Sequence, residues 1–418
     1  MRVIWLCNLA PGAVNRETGR NGGSGSWIER MLEDIRTRKE ITLLLLCPGD
    51  GASGALEDGL SYSFFPETAP HKYSAELEER FCKEISSFHP DLIHIWGTEY
   101  GHTLAMVNAA RRTGMLSRVA VSIQGLCGLC ARHYSEGVPD WVCRRYSLRD
   151  FVKHDNIRAQ QHRYALRGEL EENALRQVRH VIGRTAWDRA VTGQLAPDRV
   201  YHFCNETLRS PFYEGIWQFE SCTRHHIFSS SCAYPVKGFH YLLEAMPIVL
   251  RRYPDATISV PGKCFFKDDP VSRLRQDYYH RYLSRLAEKN GLRDKLRFSG
   301  ALSAQGMREA YLNANVFVLP STIENSPNSL GEAMLLGVPC VAADVGGVSS
   351  MLKPDEGFLY PSTAPYMLAD CIMQVFALQD EAARLGKRAR ARAMQTHDPE
   401  KNLRTLLKIY EEISGGVD

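Results

Sequence analysis

Glu324 and Glu332 stand with seven residues between them, in the segment Leu319-Pro-Ser-Thr-Ile-Glu-Asn-Ser-Pro-Asn-Ser-Leu-Gly-Glu-Ala-Met-Leu-Leu-Gly. Ionised glutamates accept hydrogen bonds and move protons, so such a pair suits a ligand rich in hydroxyls. The short run at 315–319, β-branched and aromatic, predicts a buried parallel strand. Beyond it, Ser326 is placed to cap a helix with Pro327 at its first position, and Gly337 to end that helix in a left-handed turn. Glu324 would then lie at the carboxyl end of a strand beside a helix N-terminus, where open α/β sheets bind ligands. The amides of Asn328, Ser329 and Leu330 are expected to receive a phosphate there, with the helix dipole adding to the attraction. An anion-binding turn flanked by carboxylates fits a nucleotide sugar, which carries a diphosphate and several hydroxyls in one molecule.

A second segment, Tyr234-Pro-Val-Lys-Gly-Phe-His, follows a predicted strand at 225–230. With Ala333-Met-Leu-Leu-Gly-Val-Pro-Cys-Val-Ala-Ala and the pair Gly346-Gly347, these residues resemble the family-4 retaining glycosyltransferases, most strongly over 225–347. The resemblance implies the GT-B fold, an α/β chain of two Rossmann-like, doubly wound parallel-sheet domains facing across a cleft. It implies that Lys237 meets the donor diphosphate, Glu324 holds donor-sugar hydroxyls and Glu332 holds the ribose. Gln124 completes the expected catalytic set with Lys237 and Glu324, at a position where the family often carries histidine. The transfer it implies is retaining and metal-independent, with attack on the face that the leaving group departs from. No cofactor is expected, and a UDP-sugar or GDP-sugar is the substrate.

Three positions depart from the family pattern. Ser231 stands six residues before Lys237, where an arginine is usual. Gln124 can hydrogen-bond a sugar but cannot carry a proton. Ser350 follows the glycine pair, where an acidic residue is common. Arg184 is a candidate to replace the missing cation at the donor; a surface arginine at a strand end is the alternative.

These side chains need a scaffold, and strand and helix patterns alternate along the chain as doubly wound α/β domains require. Strands are expected at 3–6, 41–47, 92–96, 119–123, 178–182 and 200–203, with helices at 26–36, 74–88, 100–112, 157–176 and 186–194. The second half repeats the scheme, with strands near Ile227, Thr257, Leu296, Phe317, Cys340 and Phe358 and helices at 366–394 and 399–413. A change of pattern near 205–220 gives an acceptor-binding domain at 1–208, a nucleotide-sugar domain at 209–395, and a helix at 396–418 returning to the first domain. In the first loop, Gly22 and Gly23 are expected to let the backbone approach the donor phosphates, since a Cβ would hold the ligand off. Trp96, Glu99 and Tyr100, after the strand at 92–96, are candidates to stack on and hydrogen-bond an acceptor; packing at a strand end accounts for them equally.

At 418 residues the chain exceeds what one core usually serves, and 44% hydrophobic with 24% charged residues is ordinary for a globular protein. No run approaches the ~20 apolar residues needed to cross a bilayer. The N-terminal run is too short for a signal peptide and reads as a strand, and 12 cysteines then imply reduced thiols in the cytoplasm. A net charge of +3 gives no argument for nucleic acid. Cys127, Cys130, His133 and Cys143 match no zinc spacing, so no metal site is expected. The segment 144–167 is basic, with Tyr146, Phe151 and Tyr164 interleaved. It suits peripheral contact with anionic headgroups at the inner membrane face, or with a lipid diphosphate; a solvated helix face is the plainer account. The expected acceptor is a glycan, lipid-linked or small hydroxyl compound in surface polysaccharide or glycoconjugate synthesis. A sugar-nucleotide epimerase, a phosphorylase or a catalytically silent partner subunit are the alternatives on the same scaffold.

Overall fold

The structure, a computed structural model, describes residues 1–19, 26–51, 53–57 and 59–415. It divides into two compact units. The first comprises Met1–Leu129, Arg163–Arg209 and Thr396–Asp418, and the second Cys130–His162 and Ser210–Gln395.

Among the described residues the first unit holds strands β1 (Arg2–Cys7), β2 (Thr42–Pro48), β3 (Gly54–Ala55), β4 (Ser61–Phe65), β5 (Leu92–Trp96), β6 (Val119–Ser122), β7 (His180–Gly183) and β8 (Val200–Phe203). They form one sheet in the order β3-β4-β2-β1-β5-β6-β7-β8. All neighbours run parallel except β3 against β4. Successive side chains of a strand point to opposite faces, so Val3, Trp5 and Cys7 enter one core layer while Ile4 and Leu6 enter the other. Burial of both faces is what a parallel sheet requires. The last helix, Pro399–Gly415, presents Leu403, Leu406, Ile409, Tyr410 and Ile413 at helical spacing to the Val3 layer. Trp5 Nε1 donates to the Tyr410 hydroxyl at 2.8 Å, which fixes that helix in this unit.

The second unit holds β9 (His226–Phe228), β10 (Thr257–Val260), β11 (Leu296–Phe298), β12 (Val316–Leu319), β13 (Cys340–Ala343) and β14 (Phe358–Tyr360), all parallel, in the order β11-β10-β9-β12-β13-β14. From β9 the chain builds outward through β10 and β11, then returns to the other side of β9 with β12. That reversal makes a topological switch point between β9 and β12. The first sheet has the same device between β1 and β5.

Three expectations need correction. Residues 130–162 do not belong with the rest of 1–208; they pack as part of the second unit. The reason is a set of buried polar ties: Thr322 Oγ1 donates to the His133 carbonyl at 2.9 Å, His240 Nε2 meets the Glu136 carbonyl at 3.0 Å, and the Tyr278 amide donates to Asp150 Oδ2 at 2.8 Å. The single helix expected at 366–394 is two, Pro365–Leu378 and Ala382–Thr396. Gln379 breaks it with a left-handed φ of 50°. Strands β3 and β4 were not expected, yet β4 buries Tyr62 and Phe64 in the Val3 layer.

Candidate active site

The chain leaves β9 through a tight turn, Pro235–Lys237, closed by Gly238 at φ 62°. A Cβ on Gly238 would overlap the Pro320 carbonyl oxygen, so only glycine lets this turn lie against the end of β12. The Thr322 amide donates to the Val236 carbonyl at 2.8 Å and laces the two segments together. This geometry brings Lys237 Nζ within 2.7 Å of Glu324 Oε1, across the switch point. Ser321 Oγ donates to the same oxygen at 2.8 Å, leaving Glu324 Oε2 without a partner among the described residues. Burial disfavours the Lys237 charge, but the Glu324 carboxylate overrides it and holds the ammonium above the ordinary lysine range.

The glycine pair serves the same carboxylate. Gly346, at φ 54°, packs where a Cβ would overlap the Glu324 carbonyl oxygen, and the Gly347 amide donates to that oxygen at 2.9 Å. The helix after Glu324 runs Asn328–Leu336 and ends at Gly337, φ 75°, as expected. Its beginning differs. Pro327 is the cap and gives no side-chain hydrogen bond, while Ser326 Oγ lies 3.4 Å from the Met351 sulfur. The Leu330 amide is not open to a phosphate, because it donates to the Pro327 carbonyl at 3.0 Å. The amides of Asn328 and Ser329 have no acceptor among the described residues. Glu332 sits one turn along this helix from Asn328 and is buried.

The first unit places polar groups at its own switch point. Asn8, at the end of β1, donates from Nδ2 to Glu99 Oε2 at 2.8 Å and accepts from His102 Nε2 at 2.9 Å. Gly97, φ 105°, allows this approach, since a Cβ there would overlap both side chains. Arg167 Nε donates to the Glu99 carbonyl at 2.6 Å, and its guanidinium lies 5.4 Å from the Tyr100 ring centre. Burial raises the Glu99 pKa. Behind it, Glu171 is pushed up to about 8, by burial first and by the Glu99 charge, against an opposing hydrogen bond from Thr98.

Trp96 is not available to stack on a sugar. It is 4% exposed and packed between Trp5 and His94, with ring centres 4.9 and 4.1 Å away. Arg184 is also committed: it pairs with Glu206, and its Nη2 donates to Gln124 Oε1 at 3.2 Å. Gln124 Nε2 in turn donates to Glu206, so both ends of that amide are engaged within the first unit. Arg184 is therefore a buried, neutralised partner of Gln124 and not a free cation standing in for the one missing at Ser231. Gly22 and Gly23 lie outside the described residues. Sequence reasoning missed Ser321, Thr322, Asn8, Glu171 and Glu206. Of these only Asn8 had a signal, as the first polar residue after an apolar strand.

Two doubly wound parallel α/β units, each with polar side chains gathered at its switch point, define the GT-B class of fold. Sucrose-phosphate synthase from Thermosynechococcus elongatus shares it at a TM-score of 0.73 and 15% identity, with 99% of both chains covered. HepE from Anabaena, solved with UDP and glucose, does so at 0.68 and 17% identity over 99% of this chain and 100% of that one. Residues 221–392 match the model of the glycosyl transferases group 1. A glycosyltransferase of Methanocaldococcus jannaschii is 31% identical over 127 residues, 30% of this chain and 29% of the relative. The matched stretch spans less than half the length of each of the first curated relatives.

Proposed function

We propose that the chain transfers a sugar from a nucleotide-diphosphate donor to a hydroxyl acceptor. The observation that carries this reading is the Lys237–Glu324 pair, 2.7 Å apart at the β9/β12 switch point, next to the open first turn of the Asn328 helix. A diphosphate seated there meets the Lys237 ammonium and the amides of Asn328 and Ser329, which neutralise the charge that grows as the glycosidic bond breaks. Glu324 Oε2 accepts from sugar hydroxyls, and Glu332 is assigned to the ribose. UDP is the proposed carrier, in keeping with the UDP complexes of HepE. On the first unit, Glu99 and Tyr100 are assigned to the acceptor, with Gln124 as a hydrogen-bonding residue of the reaction.

Glu324 is held by an ammonium and a hydroxyl, which suits a positioning role better than that of a covalent nucleophile. The reaction is therefore read as retaining by same-face attack, with the leaving phosphate as base and no metal or cofactor required. The acceptor is assigned to surface polysaccharide or glycoconjugate synthesis. UDP should raise the melting temperature more than GDP or ADP does. Lys237→Ala should remove that shift and lower turnover by about 10²–10³-fold with the fold intact. Nucleotide release that requires acceptor, persists in EDTA and yields the donor's anomer would support each part. Unchanged turnover in Lys237→Ala would defeat the assignment, and turnover without an acceptor would point to an epimerase.

A further inference from the structure

We propose that the helices Asp140–Arg144 and Leu148–Lys153 of the second unit form a docking surface for an anionic lipid bilayer. Leu148–Lys153 is inside out. Leu148, Phe151 and Val152, at the i, i+3, i+4 spacing of one helical face, are 54, 65 and 70% exposed. The side chain this helix buries is Asp150. Its Oδ2 accepts from the Ser147 amide at 3.1 Å and the Tyr278 amide at 2.8 Å, and its Oδ1 from Arg149 at 3.0 Å. A polar anchor thus holds the helix to its unit while the apolar face meets solvent. Trp141 and Tyr146, just before it in the chain, are each about half exposed as well. Elsewhere among the described residues, exposed large apolar side chains occur singly or in pairs, the ordinary condition of a protein surface.

The charges select the occupant. Residues 140–158 carry five basic side chains, Arg144, Arg145, Arg149, Lys153 and Arg158, against three carboxylates, of which Asp150 is buried. Arg145 lies over the Trp141 ring at 5.9 Å, and Lys153 follows Val152 on the exposed end of its helix. Cations interleaved with aromatic and aliphatic side chains match the headgroup layer of an anionic membrane. Leu148, Phe151 and Val152 enter the acyl boundary, Trp141 and Tyr146 sit at headgroup depth, and Arg145 and Lys153 reach lipid phosphates. No helix among the described residues is long and apolar enough to cross a membrane, so the contact is superficial.

The test is co-sedimentation of the full chain with phosphatidylcholine vesicles, with and without about 30% phosphatidylglycerol, together with sedimentation velocity in their absence. Wild type should bind the anionic vesicles only, and rising salt should weaken the binding. The variant L148S/F151S/V152S should bind at least about tenfold more weakly, as should R145E/K153E, with unchanged circular dichroism. Absence of wild-type binding, or equal binding by the triple variant, would overturn the proposal. So would a dimer that the triple variant dissociates without any vesicle binding, which would make the face a contact between copies of the chain.

Discussion

Glu171 shows what one buried carboxyl does to a fold. Its Oε1 meets the Thr98 hydroxyl, Thr98 Oγ1 lies 3.3 Å from the Gly125 carbonyl, and Oε2 accepts from the Gly128 amide at 3.3 Å. Thr98 and the Gly128 amide both donate to the carboxyl, but burial outweighs them and favours the neutral acid. In the folded protein the group keeps its proton up to about 8, whereas its ordinary value is 4.5. The folded state therefore binds more protons between these limits, and stability falls as pH rises through that window by about 1.4 kcal/mol per unit. Glu171→Gln supplies the same donor and acceptor without titrating. Measured by urea unfolding, wild type should lose stability relative to this variant as pH is raised from about 5 to about 8. A constant difference would show that Glu171 is ionised. Nothing in the sequence marks this residue, because Glu169, Glu171 and Glu172 read together as a solvated helix face. Lys237 and Glu324 were legible because each is tied to local chain geometry, a Lys-Gly turn and a strand end. For Trp96 the packing alternative holds, because its place is set by Trp5 and His94, which only the folded sheet brings alongside.

Elements convert glycines into site geometry, and two of them separate cost from consequence. Gly337 and Gly346 both have left-handed φ, 75° and 54°. A Cβ on Gly337 meets only ordinary contacts, the nearest at 3.5 Å, while one on Gly346 overlaps the Glu324 carbonyl oxygen. Gly337→Ala should therefore cost only the conformational strain, about 1–2 kcal/mol, and leave turnover unchanged. Gly346→Ala should cost more and also lower turnover, because relieving the overlap moves the Glu324 backbone. Equal melting temperatures and equal activities for the two variants would remove Gly346 from the positioning of Glu324. Alternating strands and helices were readable for the same reason as these glycines, since period and turn chemistry are local. The long excursion at 130–162 was not. Its assignment rests on His133, Glu136 and Asp150 finding partners at Thr322, His240 and Tyr278, more than a hundred positions away. The break at Gln379 was hidden too, because nothing about a glutamine announces a left-handed turn.

At the scale of the whole molecule, buried histidines set the acid limit of both units. His94 and His102 in the first unit are held at about 3, and His397 there at about 4, by burial. His226 and His240 in the second unit are held at about 4 for the same reason. The hydrogen-bond partners cited for them are neutral, Tyr410 and Ser122 for His94, Asn8 for His102, Thr257 and Ser259 for His226, Tyr279 and a carbonyl for His240, and a carbonyl for His397, while the Arg297 and Arg184 charges further disfavour protonation of His226 and His397. No carboxylate among these contacts rewards protonation. The unfolded chain takes up each proton near the ordinary 6.5, so this stability is complete above that pH and is lost as pH falls toward the folded values. Each group contributes up to about 1.4 kcal/mol per pH unit, so five together reach about 14 kcal/mol over about two units, comparable with a typical total of 5–15 kcal/mol. Glu99 and Glu171 oppose the trend only where their unfolded counterparts are ionised. The acid unfolding midpoint should therefore lie above about pH 4, before most carboxylates protonate. Circular dichroism against pH would locate it, and His226→Gln should flatten the loss by the share of one proton. A chain still folded well below pH 4 would mean that these imidazoles accept protons in place.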